Sequence, residues 1–312
     1  MTEGHTTTGR RLLRRLIEER RDVETGYLDL LRPVARRLFE ANLLDPELQE
    51  RLTDLAERYR EVVDPFGFDP DYLRYVLPVA AWVYRHYFRV NTYGLENIPH
   101  GGALLISNHS GQLPIDAMMI VTACLVDRDE PLMVRSMVER WVPSLPFVSW
   151  FFARCGQILG TRDNFRLLTE LGSAILVFPE GVVGINKTFD KAYKLQGFGL
   201  GFMRLALENG LPIVPVAVVG AEEQAPALYN LAPVARLLGI PAFPITPTFP
   251  LFGPLGMLPL PVKYHIHFGE PMLFDGNPDD EDRVIAGKVD VVKAEVQRLI
   301  DAGLEQRDGI FF

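Results

Sequence analysis

From Val90 to Phe268, short apolar runs recur between longer helical stretches, and this alternation limits the possible folds more than any other feature of the chain. The runs are ALLIS (103–107), PLMV (131–134), AILVF (174–178), PIVPVAVV (212–219) and VKYHIHF (262–268). They read as short β-strands alternating with helices. Between them, 114–125, 163–172 and 197–209 are expected helices, and a last helix is expected over 280–302. That helix opens with Asp279, Asp280, Glu281 and Asp282, acidic residues that favour a helix N-terminus. Strand–helix alternation predicts an α/β domain with a mostly parallel central sheet flanked by helices.

The first part of the chain reads differently. Residues 10–62 are helical in pattern and charged, and Arg10, Arg11, Arg14 and Arg15 alternate with Leu12, Leu13, Leu16 and Ile17. Such a helix suits either an anionic lipid surface or packing on a neighbour. Asp64-Pro65-Phe66-Gly67 breaks the pattern. The expected organisation is an N-terminal helical segment, 1–66, followed by the α/β domain, 67–312. Residues 71–89 are apolar and aromatic, which fits an interfacial helix or a cover for the core of the domain. Between Arg236 and Lys263 lie 26 residues without a charge, seven of them proline. Those prolines forbid a continuous helix or central strand, so 237–262 is expected to be an apolar loop over the core or against lipid.

Composition narrows the function classes. With 48% hydrophobic and 23% charged residues the chain can bury a substantial core. Its formal charge of −8, from 32 basic and 40 acidic residues, offers nucleic acid no general attraction. Cys124 and Cys155 lack metal-ligand spacing and fit buried thiols in a reducing compartment. Met1 to Gly9 is polar and unlike a secretory signal. Nowhere is there the uncharged apolar stretch of ~20 residues that a spanning helix needs. A cytoplasmic protein, peripheral on the inner face of a membrane, is expected.

Chemistry concentrates at two strand ends. ALLIS runs into Asn108-His109-Ser110-Gly111-Gln112-Leu113-Pro114-Ile115-Asp116. A His straight after a buried strand sits where α/β folds present reactive groups. A carboxylate seven residues on can accept one ring N–H, leaving the other nitrogen to take a proton from a hydroxyl. The second strand end carries Phe178-Pro179-Glu180-Gly181.

In this order the two elements make the chain resemble the PlsC-type glycerophospholipid acyltransferase family, which has four motif blocks. His109 and Asp116 match the first, Gly156-Gln157-Ile158-Leu159-Gly160-Thr161-Arg162 the second, Phe178-Pro179-Glu180-Gly181 the third and Ile213-Val214-Pro215-Val216-Ala217 the fourth. The resemblance covers roughly 90–270. It implies an acyl-CoA-dependent O-acyltransferase acting on a glycerolipid hydroxyl at a membrane surface, foremost on a lysophospholipid such as lysophosphatidic acid. It implies His109 as base, Asp116 as its partner, and Arg162, Glu180, Gly181, Gly156 and Lys187 as substrate-binding residues. Acyl-CoA enters as co-substrate, and no metal or redox cofactor is called for.

Two departures favour a neutral acceptor, monoacyl- or diacylglycerol, as the alternative. Six residues separate His109 from Asp116 where the family usually has four, so the loop must bulge, with Gly111 and Pro114 allowing it. After Glu180-Gly181 the family commonly continues Thr-Arg-Ser, whereas this chain has Val182-Val183-Gly184. A catalytically silent lipid-binding protein of the same fold is the alternative from outside catalysis. His265 and His267 share a strand face, but no third metal ligand stands at suitable spacing.

Overall fold

The computed structural model describes residues 46–60, 64–139, 148–238 and 242–312. The basic helix expected over 10–17 lies outside the described residues. The chain enters through α1 (Pro46–Arg60) and α2 (Pro70–Trp82), which continues as a π-helical turn to Tyr87. Asp69 caps α2, its carboxylate accepting the N–H groups of Asp71 and Tyr72 at 3.1 and 3.2 Å.

The sheet strands are β1 (Asn91–Tyr93), β2 (Ala103–Ser107), β3 (Val134–Val138), β4 (Ile158–Leu159), β5 (Ala174–Val177) and β6 (Ile213–Val219). A small hairpin pairs β7 (Tyr229–Asn230) with β8 (Pro244–Ile245), and β9 (His265–Phe268) returns to the sheet. Among the described residues the main sheet has seven strands in the order β1-β9-β6-β2-β5-β3-β4, every neighbouring pair parallel except β6 with β9. The expected α/β class and mostly parallel sheet are observed. Some boundaries move: VKYHIHF is strand only from His265, the helix expected from 197 starts at Gly201, and PLMV is not the strand, which begins at Val134 and takes in Arg135 and Ser136. Arg135 is tolerated there because its guanidinium pairs with Asp64 and donates to the Gly156 carbonyl at 2.8 Å.

Alternation along β2 divides the core. Ala103 and Leu105 point to one face with Leu77 of α2 and Met119 and Ile120 of α3 (Ile115–Val126). Leu104 and Ile106 point to the other, with Phe165 of α5 (Arg162–Glu170), Met203 of α7 (Gly201–Asn209) and Ile285 of α10 (Asp282–Gln306). Leu48 and Leu55 of α1 join the first cluster. Between α5 and α7 lie β5 and the short α6 (Gly181–Ile185), and α4 (Val148–Arg154) precedes β4. After β6 comes a four-residue turn of helix, α8 (Ala221–Gln224), and then α9 (Ala232–Leu238).

Pro215 sits inside β6 at no cost in hydrogen bonds. Val216 pairs with Phe268 and Ile213 with Met272, so three steps of β6 oppose four of its partner and a bulge lies beside the proline. Its missing N–H therefore falls where the ladder is already open.

Candidate active site

β2 ends at Ser107, and Asn108 anchors the loop beyond it. The Asn108 side chain donates to the Val218 carbonyl at 3.0 Å and accepts the Val218 N–H at 2.8 Å, tying that loop to β6. Gly111 has φ +89, and a Cβ there would lie 2.6 Å from the Ala221 carbonyl oxygen and 2.0 Å from Gln224 Nε2. The expected bulge thus turns on Gly111, and Pro114 leads into α3, whose first turn carries Asp116.

Asp116 is buried. Its Oδ2 lies 2.7 Å from His109 Nδ1 and accepts the Ser110 N–H at 2.9 Å, while Oδ1 accepts the Ala117 N–H at 2.8 Å. A carboxylate in this position favours the tautomer with its hydrogen on Nδ1 and leaves the Nε2 position unengaged by Asp116. The imidazole stacks on Phe178 with ring centroids 4.1 Å apart. The sequence-expected pair is therefore assembled.

The remaining expected residues divide. Glu180 is buried off the cavity: Oε1 accepts the His109 N–H at 3.0 Å and Oε2 the Gln196 N–H at 2.7 Å. It holds the backbone of the base. Gly181, at φ +56, and Arg162, exposed at the start of α5, both line the cavity beside His109. Gly156 and Lys187, like Glu180 expected to bind substrate, also lie off the cavity. Gly156 is buried behind β3, where a Cβ would meet Met133 Cε at 2.5 Å, so it makes a turn rather than a ligand contact. Lys187, the expected anion ligand, turns inward, its Nζ 2.8 Å from Glu222 Oε1. Burial between carboxylates leaves it nothing to offer a substrate phosphate.

The cavity measures about 1780 Å³, well above the ~300–1,000 Å³ of ordinary small-molecule sites. Its walls are apolar, from Val76 and Ala80 of α2, Met118, Val121 and Leu125 of α3, and Trp150 and Phe151 of α4. Cys155 lines it too, and burial pushes its thiol up to about 12. Among the described residues its charged lining, besides His109, is Arg162 and Glu139.

Sequence reasoning missed α8. Its residues Ala221-Glu222-Glu223-Gln224 are all buried, and its polar side chains reach three parts of the site. Glu222 meets Lys187 and the Tyr193 N–H, Glu223 accepts from the Tyr193 hydroxyl and pairs with Arg307 at 2.7 Å, and Gln224 donates to the Gly111 carbonyl at 3.0 Å. Two adjacent acids straight after an all-apolar strand were the available signal.

A family model described as Acyltransferase matches residues 89–219. An uncharacterised protein of Mycobacterium leprae is 38% identical over 256 residues, 80% of this chain and 70% of that one. An uncharacterised protein of Mycobacterium tuberculosis is 38% identical over 257 residues, 80% of this chain and 72% of that one. A Gallus gallus protein named DGAT1/2-independent enzyme synthesizing storage lipids is 26% identical over 67% of this chain and 58% of its own length. The crystal structure of the 1-acyl-sn-glycerophosphate (LPA) acyltransferase PlsC from Thermotoga maritima aligns with 84% of this chain and 96% of that one, at 17% identity and a TM-score of 0.47. The family match runs from just before β1 to the end of β6 and takes in His109, Asp116, Arg162 and Glu180, so this span of the chain is an acyltransferase domain by sequence.

Proposed function

We propose that this protein transfers a fatty acyl chain from acyl-CoA to a glycerolipid hydroxyl, with His109 as the base. Glycerolipid acyl transfer is what the family membership supports. The finer reading is carried by the placement of the His109–Asp116 pair at the wall of the apolar cavity. His109 Nε2 removes the hydroxyl proton as that oxygen attacks the thioester carbonyl, and Asp116 steadies the imidazolium that forms. The tetrahedral intermediate expels the thiolate, which then takes the proton from His109. A thiol leaving group, with pKa roughly 8.5, needs no strong acid.

Arg162 supports a phosphate-bearing acceptor such as lysophosphatidic acid. A neutral acceptor is the second reading, favoured by the inward turn of Lys187 and by Glu139, whose Oε1 lies 3.0 Å from where a Cβ on Gly181 would stand. The storage-lipid name of the Gallus gallus relative is in keeping with that alternative. Arg162→Ala separates the two. With a phosphate-bearing acceptor, the KM for that lipid should rise at least roughly tenfold, with acyl-CoA unaffected, since one charge-assisted bond is worth ~1.5–3 kcal/mol. Equal losses toward lysophosphatidic acid and monoacylglycerol remove Arg162 from headgroup binding.

The protein is further proposed to reach its lipid from a membrane surface. No helix among the described residues is long and apolar enough to cross one. Leu251, Phe252 and Leu255 are 79%, 62% and 73% exposed in the charge-free loop, a patch of the kind that marks contact sites. Replacing these three by Glu should abolish flotation with anionic liposomes, and undiminished flotation sinks this role for the loop.

A further inference from the structure

The inward turn of Lys187 has a use. Its side chain and that of Glu180 are 2% and 0% exposed, and its Nζ lies 3.8 Å from Glu180 Oε2 as well as 2.8 Å from Glu222 Oε1. A carboxylate buried this deeply without a countercharge takes up a proton. Glu180 has no oxygen to spare for one, because each accepts a backbone N–H, from His109 on one side and Gln196 on the other. An O–H on either oxygen turns a donor toward a donor and opens one of those bonds. We propose that Lys187, held in place by Glu222, is a positioning residue that pairs with the buried Glu180 side chain and thereby fixes the His109 backbone, aligning the imidazole on Asp116. The kinetic part of its test rests on the acyl-transfer reading above.

Other contacts agree with this placement. Gln112 donates from Nε2 to the Lys187 carbonyl at 3.1 Å and from its N–H to the Ile185 carbonyl at 3.1 Å, so the Lys187 loop and the His109 loop move as one. Gly184 leaves no room to slide: a Cβ there would stand 2.6 Å from Glu180 Cβ and 3.1 Å from the His109 carbonyl oxygen. The charged and titratable groups around Glu222 are Lys187 and Glu180, then Glu223 with Tyr193 and Arg307. Burial pushes the Glu222 carboxyl up from 4.5 to about 7, against the pull of Lys187. A raised acid stabilises the fold while protonated, so this contribution falls as pH rises from 4.5 to about 7. Glu222→Gln should flatten that fall.

The deciding variants are Glu222→Gln and the double variant Lys187→Met with Glu222→Gln. Exchanging a buried ion pair for a neutral pair of similar size commonly preserves stability, so the double variant should melt close to the parent. Its kcat should nevertheless drop at least roughly tenfold, with KM for acyl-CoA within about twofold. Glu222→Gln alone weakens the hold on Lys187 without removing its ammonium from beside Glu180, and its kcat should fall between those of the parent and the double variant. Without substrate, the His109 ring resonances should shift in the double variant and shift less in Glu222→Gln. In a Glu180→Gln background, which has no charge to pair, Lys187→Met should lower kcat by less than about twofold more. Parent-like kcat and unmoved resonances in the double variant, or an undiminished loss in the Glu180→Gln background, overturn the proposal. Absence of acyl transfer by the parent protein sinks the proposed function instead, and the ring resonances still read the positioning.

Discussion

Replacing His109 by Ala is expected to lower kcat by roughly 10³-fold, the scale of a positioned general base, while binding of acyl-CoA and the melting temperature stay near the parent values. The ring lies at the cavity wall, packed on Phe178, so its loss leaves a gap that opens to solvent. Asp116→Asn should cost less, on the order of 10²-fold, because it disturbs the tautomer and orientation of His109 and leaves the imidazole present. Single-turnover measurements with acyl-CoA and calorimetric titration of the same substrate separate chemistry from binding. Near-normal turnover in His109→Ala sinks the mechanism. Equal loss of turnover and acyl-CoA binding moves His109 to a structural role.

Gly111→Ala is expected to be the most damaging single methyl in the site. A non-glycine residue at φ +89 carries strain of ~1–2 kcal/mol by itself. Here the added Cβ also meets the Ala221 carbonyl oxygen at 2.6 Å and displaces Gln224 from the loop. Together these should destabilise the protein by about 3 kcal/mol or more and lower kcat of the folded fraction at least roughly tenfold. Gly101→Ala supplies the control: φ is +93 there, and nothing lies within 4 Å of the added carbon. Its cost should be the strain alone, about 1 kcal/mol by denaturant midpoint. Similar values for the two variants would show that Gly111 answers only to its dihedral angle.

The site was legible where it is local. His109 and Asp116 meet within one loop and one helical turn, so their spacing alone suggested the pair, as the apolar runs did the strands on which it is hung. Glu180 was singled out by its strand-end position as a substrate-binding residue, but its contact with the His109 backbone crosses from β5 to β2 and leaves no pattern in sequence. The inward turn of Lys187 left no signal, because its partner, Glu222, comes from α8 just past β6 and meets it only once the sheet is assembled. A lysine three residues past Gly184 reads as exposed until that carboxylate is known to stand beneath it. Gly156 was drawn into the site by its motif, although its role is to let the chain turn behind Arg135. The β3 boundary failed for a related reason: Arg135 breaks an apolar run that its ion pair with Asp64 makes harmless.

Cys155 gives the cavity a chemical property of its own. Thioesters exchange with free thiolates, and an acyl chain passed to a wall cysteine would leave the enzyme blocked and the acceptor unserved. Burial pushes its thiol up to about 12, so Cys155 stays a thiol near neutral pH. Burial therefore makes the sulfur a mute spectator to activated acyl groups. On the proposed reading, the same dry wall that suits a hydrocarbon chain would also keep that chain from being stolen on its way to the hydroxyl.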